Sequence, residues 1–134
     1  MPAEGHERLE IRSSSDVVTV RHATRSLAAE AGLSLVDQTK LVTAASELAR
    51  NTLEYGGGGS VELELLQNGV RRGVRLVFRD SGPGIPDIDQ ALMDGFTTGT
   101  GLGLGLGGAR RLVNEFSIES QPGRGTQVII ARWR

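Results

Sequence analysis

The sequence predicts an α/β (α+β) two-layer sandwich in which a mixed β-sheet packs on helices. Segments with strand-like alternation and segments with helical spacing of apolar residues follow one another, and no internal repeat interrupts them. A length of 134 residues suits one domain with its own core, which we place at residues 1–134. The absence of cysteine excludes disulfide bonds and thiolate metal sites.

The N-terminal part of the chain predicts a strand followed by a helix. The segment RLEIRS, residues 8–13, has the composition of a short strand. A helix is predicted from Asp16 to about Ala31, with Gly32 ending it. Its apolar residues recur at roughly helical spacing: Val17, Val20, Leu27 and Ala28.

A second helix is predicted over LVDQTKLVTAASELARNTLEYG, residues 35–56. Ser34 is a plausible N-cap, and Asp37 follows three positions later as in a capping box. The helix should run about five turns and stop at Gly56. We interpret the glycines at 56–59 as a loop between helix and strand, with a partner contact as the alternative.

Two strand pairs are predicted in the second half of the chain. VELELL and GVRLVFRD alternate apolar and polar residues on either side of the turn Asn68-Gly69. FSIES and TQVIIARW flank the turn QPGRG. Between the pairs, a helix-like run covers residues 109–116 and follows a segment rich in glycine.

The charge balance excludes several classes of partner. With 15 basic and 16 acidic residues, the formal net charge of −1 predicts no nucleic-acid partner and no membrane partner. No apolar run of about 18 residues is present, so we expect no membrane span. The first residues lack the apolar core of a secretory signal, and we therefore expect a cytoplasmic protein.

The second helix carries two polar side chains that share a face. Glu47 and Asn51 are four positions apart, so a carboxylate and a carboxamide are directed to the same side. A neighbouring stripe is less polar and consists of Leu41, Ala45, Leu48 and Thr52. A solvated helix face is the alternative interpretation of the polar pair.

A second polar cluster, FRDSGPGIPD, follows a predicted strand. Asp80 ends the apolar alternation, Gly82 and Gly84 allow a close turn, and Pro83 stiffens it. A buried carboxylate at this place could accept a hydrogen bond from a ring amine. The alternative is a turn without a binding role.

The third cluster is TTGTGLGLGLGG, residues 97–108, in which six of twelve residues are glycine. Its backbone N–H groups and the positive end of the following helix offer a seat for phosphate. It lacks the Gly-Lys-Ser/Thr of a Walker A loop and is not placed as a dinucleotide fingerprint. A flexible linker is the alternative, but the regular leucines at 102, 104 and 106 argue against it.

Taken in order, these clusters resemble the motifs of a known superfamily. SELARN, DSGPGIP and GTGLGLGL resemble the N, G1 and G2 boxes of the GHKL ATPase/kinase superfamily, and GRGT at 123–126 resembles its last adenine-side motif. Longer stretches, including DSGPGIPDIDQALMDGF and RRLVNEFSIES, look like the RsbT-type switch kinases of bacterial stress signalling. The resemblance covers nearly the whole chain and implies the Bergerat ATP-binding fold.

The resemblance implies a Mg-ATP site and a role for each matching residue. Asn51 would ligate Mg²⁺ through its amide oxygen, and Glu47 would be the general base. Asp80 would accept a hydrogen bond from the adenine amine, and Thr126 would reach the ring through water. The implied nucleotide contacts are Asn51, Asp80, Gly82, Gly84, Gly101, Leu102, Gly103, Leu104, Gly105 and Thr126.

A closing lid is also implied. The segment from about Met93 to Thr100 would close over the nucleotide, with Phe96 as an anchor of the closed state. Gly101, Gly103 and Gly105 would hold the phosphates.

The implied function is that of a serine/threonine kinase in a partner-switching system. Such an enzyme phosphorylates a STAS-domain antagonist or stressosome scaffold and then binds and activates a partner phosphatase. One alternative is an anti-sigma factor kinase that binds a sigma factor directly. Another is a nucleotide-dependent binding module without phosphoryl transfer, although the presence of both Glu47 and Asn51 argues against it.

Overall fold

A computed structural model describes residues 5–93 and 105–134 of the chain. In chain order the described elements are β1 (His6–Ile11), α1 (Ser14–Glu30), α2 (Leu35–Glu54), β2 (Gly59–Asn68), β3 (Arg71–Asp80), α3 (Ile88–Ala91), α4 (Leu106–Arg111), β4 (Glu115–Gln121) and β5 (Gly125–Trp133). None of the helices in these two ranges is long and apolar enough to cross a membrane.

The predicted two-layer α/β architecture is confirmed, with one difference in strand direction. The five strands form one sheet in the order β1-β2-β3-β5-β4. We predicted a mixed sheet, whereas all four of these pairings are antiparallel. The helices α1 and α2 return the chain to the end of the sheet at which β1 finishes, because Ile11 pairs with Gly59, and β2 therefore runs antiparallel to β1. The strands β3 and β4 run in the same direction, but β5 lies between them.

The core lies between one face of the sheet and the helices α1 and α2. The sheet contributes alternate residues of its central strands, including Leu63, Leu76, Phe78 and Ile130, each at most 2% exposed. The predicted apolar stripe of α2 is buried against them: Leu41, Ala45, Leu48 and Thr52. Burying one side chain of the size of leucine or phenylalanine contributes about 1.5–3 kcal/mol, so this shared face holds the two layers together.

The starts and ends of the long helices follow the predicted signals. Gly32 takes a φ of 82° after α1, a left-handed conformation that favours glycine. Ser34 caps α2, its hydroxyl accepting the N–H of Asp37 at 3.1 Å. The Asp37 carboxylate accepts a hydrogen bond from Arg132 Nη2 at 2.7 Å. A side chain from the far end of the sequence therefore takes part in anchoring the start of α2.

The helix predicted at residues 109–116 is wrong in both boundaries. The helix α4 begins at Leu106 and ends at Arg111, and β4 begins at Glu115. Asn114, the residue before β4, is already hydrogen-bonded to β5. Its N–H donates to the Ala131 carbonyl at 2.9 Å, and its Oδ1 accepts the Trp133 N–H at 2.6 Å. Pairing with β5 therefore overrides local helical spacing.

Candidate functional site

Side chains from three separate elements meet in a cavity at one end of the sheet. Asn51 comes from α2, Asp80 from the end of β3 and Thr126 from the start of β5. The cavity is otherwise lined mainly by apolar or partly apolar side chains: Leu48, Thr52, Tyr55, Phe78, Ile85, Leu106 and Val128. Three of the sequence-predicted site residues are therefore brought together, in surroundings suited to a flat apolar ring with a few polar groups.

Asp80 is a half-buried hydrogen-bond acceptor at the end of β3. Burial raises the pKa of its carboxyl above the ordinary value of 3.8, and hydrogen bonds from the backbone of Gly82 and Thr126 oppose this shift. The Gly82 N–H donates to Asp80 Oδ1 at 2.9 Å. The surrounding fold therefore presents this carboxylate in a poorly hydrated position, where it gains from a donor on a bound molecule.

Close backbone packing holds Asp80 and the following loop in place. A Cβ on Gly56 would overlap the Asp80 side chain, and one on Gly82 would lie 2.7 Å from the Gly56 backbone. Gly84 has a φ of 77°, and a Cβ there would overlap the Gln121 carbonyl. Residues 56–58 connect helix and strand as interpreted, whereas Gly59 already begins β2. Gly56 also packs on Asp80, a contact that the sequence analysis missed.

Two hydroxyl groups that the sequence analysis missed fix the loop after Asp80. The Tyr55 hydroxyl donates to the Gly84 carbonyl at 2.9 Å. Ser120 Oγ accepts the Ile85 N–H at 2.7 Å and lies 2.8 Å from Thr126 Oγ1. A signal for Ser120 was available, because the predicted turn QPGRG places it opposite Thr126 in the β4–β5 pairing.

Glu47 and Asn51 lie one turn apart on α2, as predicted, and both are half-buried. Glu47 Oε1 accepts a hydrogen bond from Arg50 Nη1 at 2.9 Å. A Cβ on Gly105, whose φ is 65°, would lie 2.5 Å from Glu47 Oε2. The backbone that begins α4 therefore lies directly against the Glu47 carboxylate. Asn51, one turn further along α2, lines the cavity.

The remaining predicted contacts lie outside the described residues. Gly101, Leu102, Gly103 and Leu104, which were expected to hold phosphate, fall within residues 94–104, as does Phe96. Of the predicted lid, only Met93 is described, and it is 65% exposed. In residues 5–93 and 105–134, no group of three or more His, Cys, Asp or Glu side chains is placed to hold a metal ion.

Comparison with known proteins agrees with the family that the motifs resemble. Residues 36–134 match the family described as histidine kinase-, DNA gyrase B-, and HSP90-like ATPase. Serine/threonine-protein kinase RsbT of Bacillus subtilis (strain 168) is 42% identical over 123 residues, which cover 92% of each chain. Anti-sigma F factor of Geobacillus stearothermophilus is 32% identical over 102 residues, covering 70% of this chain and 68% of that protein.

Solved structures agree on the fold. The nucleotide-free catalytic domain of histidine kinase ThkA superposes with a TM-score of 0.54 and 17% identity, covering 94% of this chain and 97% of that domain. A second nucleotide-free form gives a TM-score of 0.53 at 16% identity. The predicted GHKL resemblance is confirmed, and a domain of this type implies the use of ATP. The chain therefore belongs to the histidine kinase-, DNA gyrase B- and HSP90-like ATPase family, and its similarity to the RsbT kinase extends over nearly its whole length.

Proposed function

We propose that the protein is a cytoplasmic, single-domain serine/threonine protein kinase that uses Mg-ATP. Its substrate would be a STAS-domain antagonist or stressosome scaffold, and it would regulate a partner phosphatase by exchanging partners. The observation that supports this most strongly is the placement of the Glu47 carboxylate one helical turn from Asn51, which lines the same cavity as Asp80. The similarity to the RsbT kinase supports the same choice of reaction.

The cavity fits an adenine ring by its chemistry. Asp80 supplies a half-buried acceptor for the ring amine, and Phe78, Ile85 and Leu106 supply apolar walls. Gly84 packs closely on the Gln121 carbonyl, where a Cβ would overlap, and the Tyr55 hydroxyl holds the Gly84 carbonyl in place. A ring that gains one charge-assisted hydrogen bond and loses water-exposed apolar surface would be held here.

The chain offers an oxygen ligand of the kind that a Mg²⁺ ion needs. The Asn51 amide oxygen is a hard ligand of the kind that Mg²⁺ accepts. Mg²⁺ in nucleotide sites is usually held by one or two protein oxygens together with phosphate oxygens and water, so a complete protein cage is not required. When bound, the ion would neutralise negative charge on the phosphates.

In this proposal, Glu47 acts as the general base. Its Oε1 is held by Arg50, while its Oε2 faces the backbone at Gly105. In the transfer step, Glu47 accepts the proton of an acceptor Ser or Thr hydroxyl while that oxygen bonds to the γ-phosphorus. The bond from that phosphorus to the β–γ bridging oxygen breaks, and ADP leaves with the bonding electron pair.

A change at Glu47 tests this role. Glu47→Gln keeps the size of the side chain but removes the base, so phosphoryl transfer to a STAS-domain acceptor should fall by about 10²–10⁴-fold while ATP binding persists. The control is Glu54→Gln, which makes the same charge change at an exposed position of the same helix. Transfer of labelled γ-phosphate, with an acceptor chosen by pull-down, gives the rate.

Two results would contradict the proposal. An unchanged rate in Glu47→Gln would remove Glu47 from the mechanism. Absence of transfer by the wild-type protein, combined with nucleotide-dependent exchange of partners, would favour the binding module instead.

A second candidate is an anti-sigma factor kinase, which would bind a sigma factor directly. It is favoured by the 32% identity to the anti-sigma F factor of Geobacillus stearothermophilus. Pull-down with STAS-domain and sigma-factor candidates, with and without Mg-ATP, separates the two. Direct retention of a sigma factor would select the second candidate.

A further inference from the structure

We propose that Arg50 is a specificity-determining residue that controls access to the Glu47 carboxylate. It covers this carboxylate against water and moves aside for an acceptor protein that carries an Asp or Glu side chain beside the hydroxyl that receives phosphate. The inference rests on the proposed role of Glu47 as general base, and it adds the chemistry by which the acceptor is recognised.

Arg50 lies on the solvent side of Glu47. With about 3.6 residues per turn, four side chains follow one another around α2 at steps of about 40–60°, in the order Leu48, Asn51, Glu47 and Arg50. Leu48 belongs to the buried core, and Asn51 lines the cavity. The exposed fraction of the side chain is 34% at Glu47 and 49% at Arg50. A molecule that approaches Glu47 from solvent therefore meets the Arg50 guanidinium.

The two carboxylate oxygens of Glu47 differ in their surroundings. Oε2 faces the backbone that begins α4, where a Cβ on Gly105 would lie 2.5 Å from it. Oε1 accepts the hydrogen bond from Arg50 Nη1 at 2.9 Å. The backbone beside Oε2 leaves less room for an incoming hydroxyl, so an acceptor has to reach the oxygen that Arg50 holds.

The contact between Arg50 and Glu47 is one that a competing carboxylate can displace. Both side chains are partly exposed, and an ion pair of this kind, one turn apart on a helix, adds little to stability. The contact consists of one hydrogen bond, from Nη1 to Oε1. A guanidinium can hold a freely placed carboxylate by two parallel hydrogen bonds. An acidic side chain on an incoming protein therefore gives Arg50 a better partner than Glu47 does.

The displacement of Arg50 decides which hydroxyl reaches Glu47. Water carries no charge that attracts the guanidinium, so hydrolysis of ATP stays slow. In hydrolysis, Glu47 would accept a proton from water while the water oxygen bonds to the γ-phosphorus. The bond from that phosphorus to the β–γ bridging oxygen breaks, ADP leaves with the bonding electron pair, and inorganic phosphate is the second product. An acceptor with a carboxylate beside its Ser or Thr draws Arg50 aside and places that hydroxyl at the base.

The first test measures ATP hydrolysis with no acceptor protein present. Arg50→Gln removes the guanidinium and should raise the rate of phosphate release from Mg-ATP by about two- to fivefold, the factor that corresponds to one exposed ion pair. The double variant Arg50→Gln/Glu47→Gln should hydrolyse ATP no faster than Glu47→Gln alone, because it has no base to release. Arg50→Lys keeps a positive charge beside Glu47 and should keep the rate near that of the wild type.

The second test uses the STAS-domain acceptor chosen by pull-down. Replacement of the Asp or Glu beside its phosphate-accepting hydroxyl by the corresponding amide should lower kcat/KM for transfer by about tenfold with the wild-type kinase. With Arg50→Gln, the same replacement should change kcat/KM by less than about twofold, because the partner of the carboxylate is already absent. Arg50→Lys should give an intermediate dependence, since an ammonium group does not make the paired hydrogen bonds.

A matched control separates this role from a general loss of positive charge. Arg8→Gln removes another exposed, ion-paired arginine, which lies on β1 and contacts Glu10 at 3.5 Å. It should change neither the hydrolysis rate nor the preference for an acidic acceptor. The Tm of each variant without nucleotide checks that the substitution leaves the protein folded.

The outcomes distinguish the inference from the proposed function. A hydrolysis rate in Arg50→Gln that is equal to or below that of the wild type would overturn the inference and leave the kinase proposal intact. The same holds if the wild-type protein phosphorylates an acceptor that has no Asp or Glu beside the modified hydroxyl. Failure of the wild-type protein to transfer phosphate to any bound acceptor would overturn the proposed function, and the inference with it.

Discussion

Asp80 shows how a functional side chain opposes stability at the level of a single residue. Burial raises its pKa in the folded protein, so the folded state binds a proton more tightly than the unfolded state does. Its contribution to stability is therefore fully present below the ordinary value of 3.8 and is lost as pH rises through the raised pKa. At neutral pH the ionised carboxylate costs stability, which is the expected behaviour of a group retained for binding.

We predict that Asp80→Asn separates these two effects. Without nucleotide, the variant should be at least as stable as the wild type at pH 7, and the two should converge as pH falls to about the ordinary aspartate value. ATP binding should weaken by about 1.5–3 kcal/mol, because a charge-assisted hydrogen bond is lost. Thermal unfolding as a function of pH and calorimetric titration with Mg-ATP measure the two effects. Unchanged ATP affinity in the folded variant would show that Asp80 does not bind the nucleotide and serves only in the turn.

The element that carries the chemistry is α2, and both of its ends are held by other parts of the fold. At its start, Arg132 donates to the Asp37 carboxylate at 2.7 Å and to the Leu112 carbonyl at 2.9 Å. At its end, the Tyr55 hydroxyl reaches Gly84. Glu47 and Asn51 therefore lie on a helix whose position is set relative to β5, α4 and the loop after Asp80.

We predict that Asp37→Asn destabilises the fold by about 1–3 kcal/mol at neutral pH, because the Arg132 side chain, only 14% exposed, loses its charged partner. The hydrogen bond from Arg132 lowers the pKa of Asp37 below 3.8. The stabilisation is therefore present above pH 3.8 and is lost as pH falls through the lowered pKa. Denaturant unfolding at several pH values gives the measurement, with the exposed Glu7→Gln as control. Equal stability of Asp37→Asn and wild type at pH 7 would be inconsistent with this anchoring role.

At the scale of the whole molecule, nucleotide binding should be coupled to global stability. The cavity residues come from α2, β3, α4 and β5, so a ligand that contacts them binds the folded state and not the unfolded chain. Ligand at a concentration of one hundred times its Kd stabilises a fold by about 2.7 kcal/mol. In a chain of 134 residues, this corresponds to a rise in Tm of about 10 °C.

Asn51→Ala provides the matched comparison for this prediction. Its Tm without nucleotide should stay close to that of the wild type, because Asn51 is only partly buried at the cavity edge. The rise in Tm with Mg-ATP should be absent if Asn51 supplies the metal ligand. A variant that responds to Mg-ATP as the wild type does would exclude that role for Asn51.

The sequence by itself determined the features that depend on neighbouring residues. The two long helices, the Ser34 cap and the two hairpins were predicted at nearly their observed places, because helical spacing, strand alternation and turn residues act over a few positions. The order of the three nucleotide motifs predicted the family. It also named Asn51, Asp80 and Thr126, which lie around one cavity.

Only the tertiary structure decided how distant segments meet. The strand β5 lies between β3 and β4, so the sheet is antiparallel throughout the described strands, and the same pairing shortens α4. The contacts of Ser120 with Ile85, of Tyr55 with Gly84 and of Arg132 with Asp37 join residues 29 to 95 positions apart. Such contacts depend on which of the alternative packings of distant segments has the lowest total free energy. Local sequence patterns do not specify this choice, because they depend only on neighbouring residues.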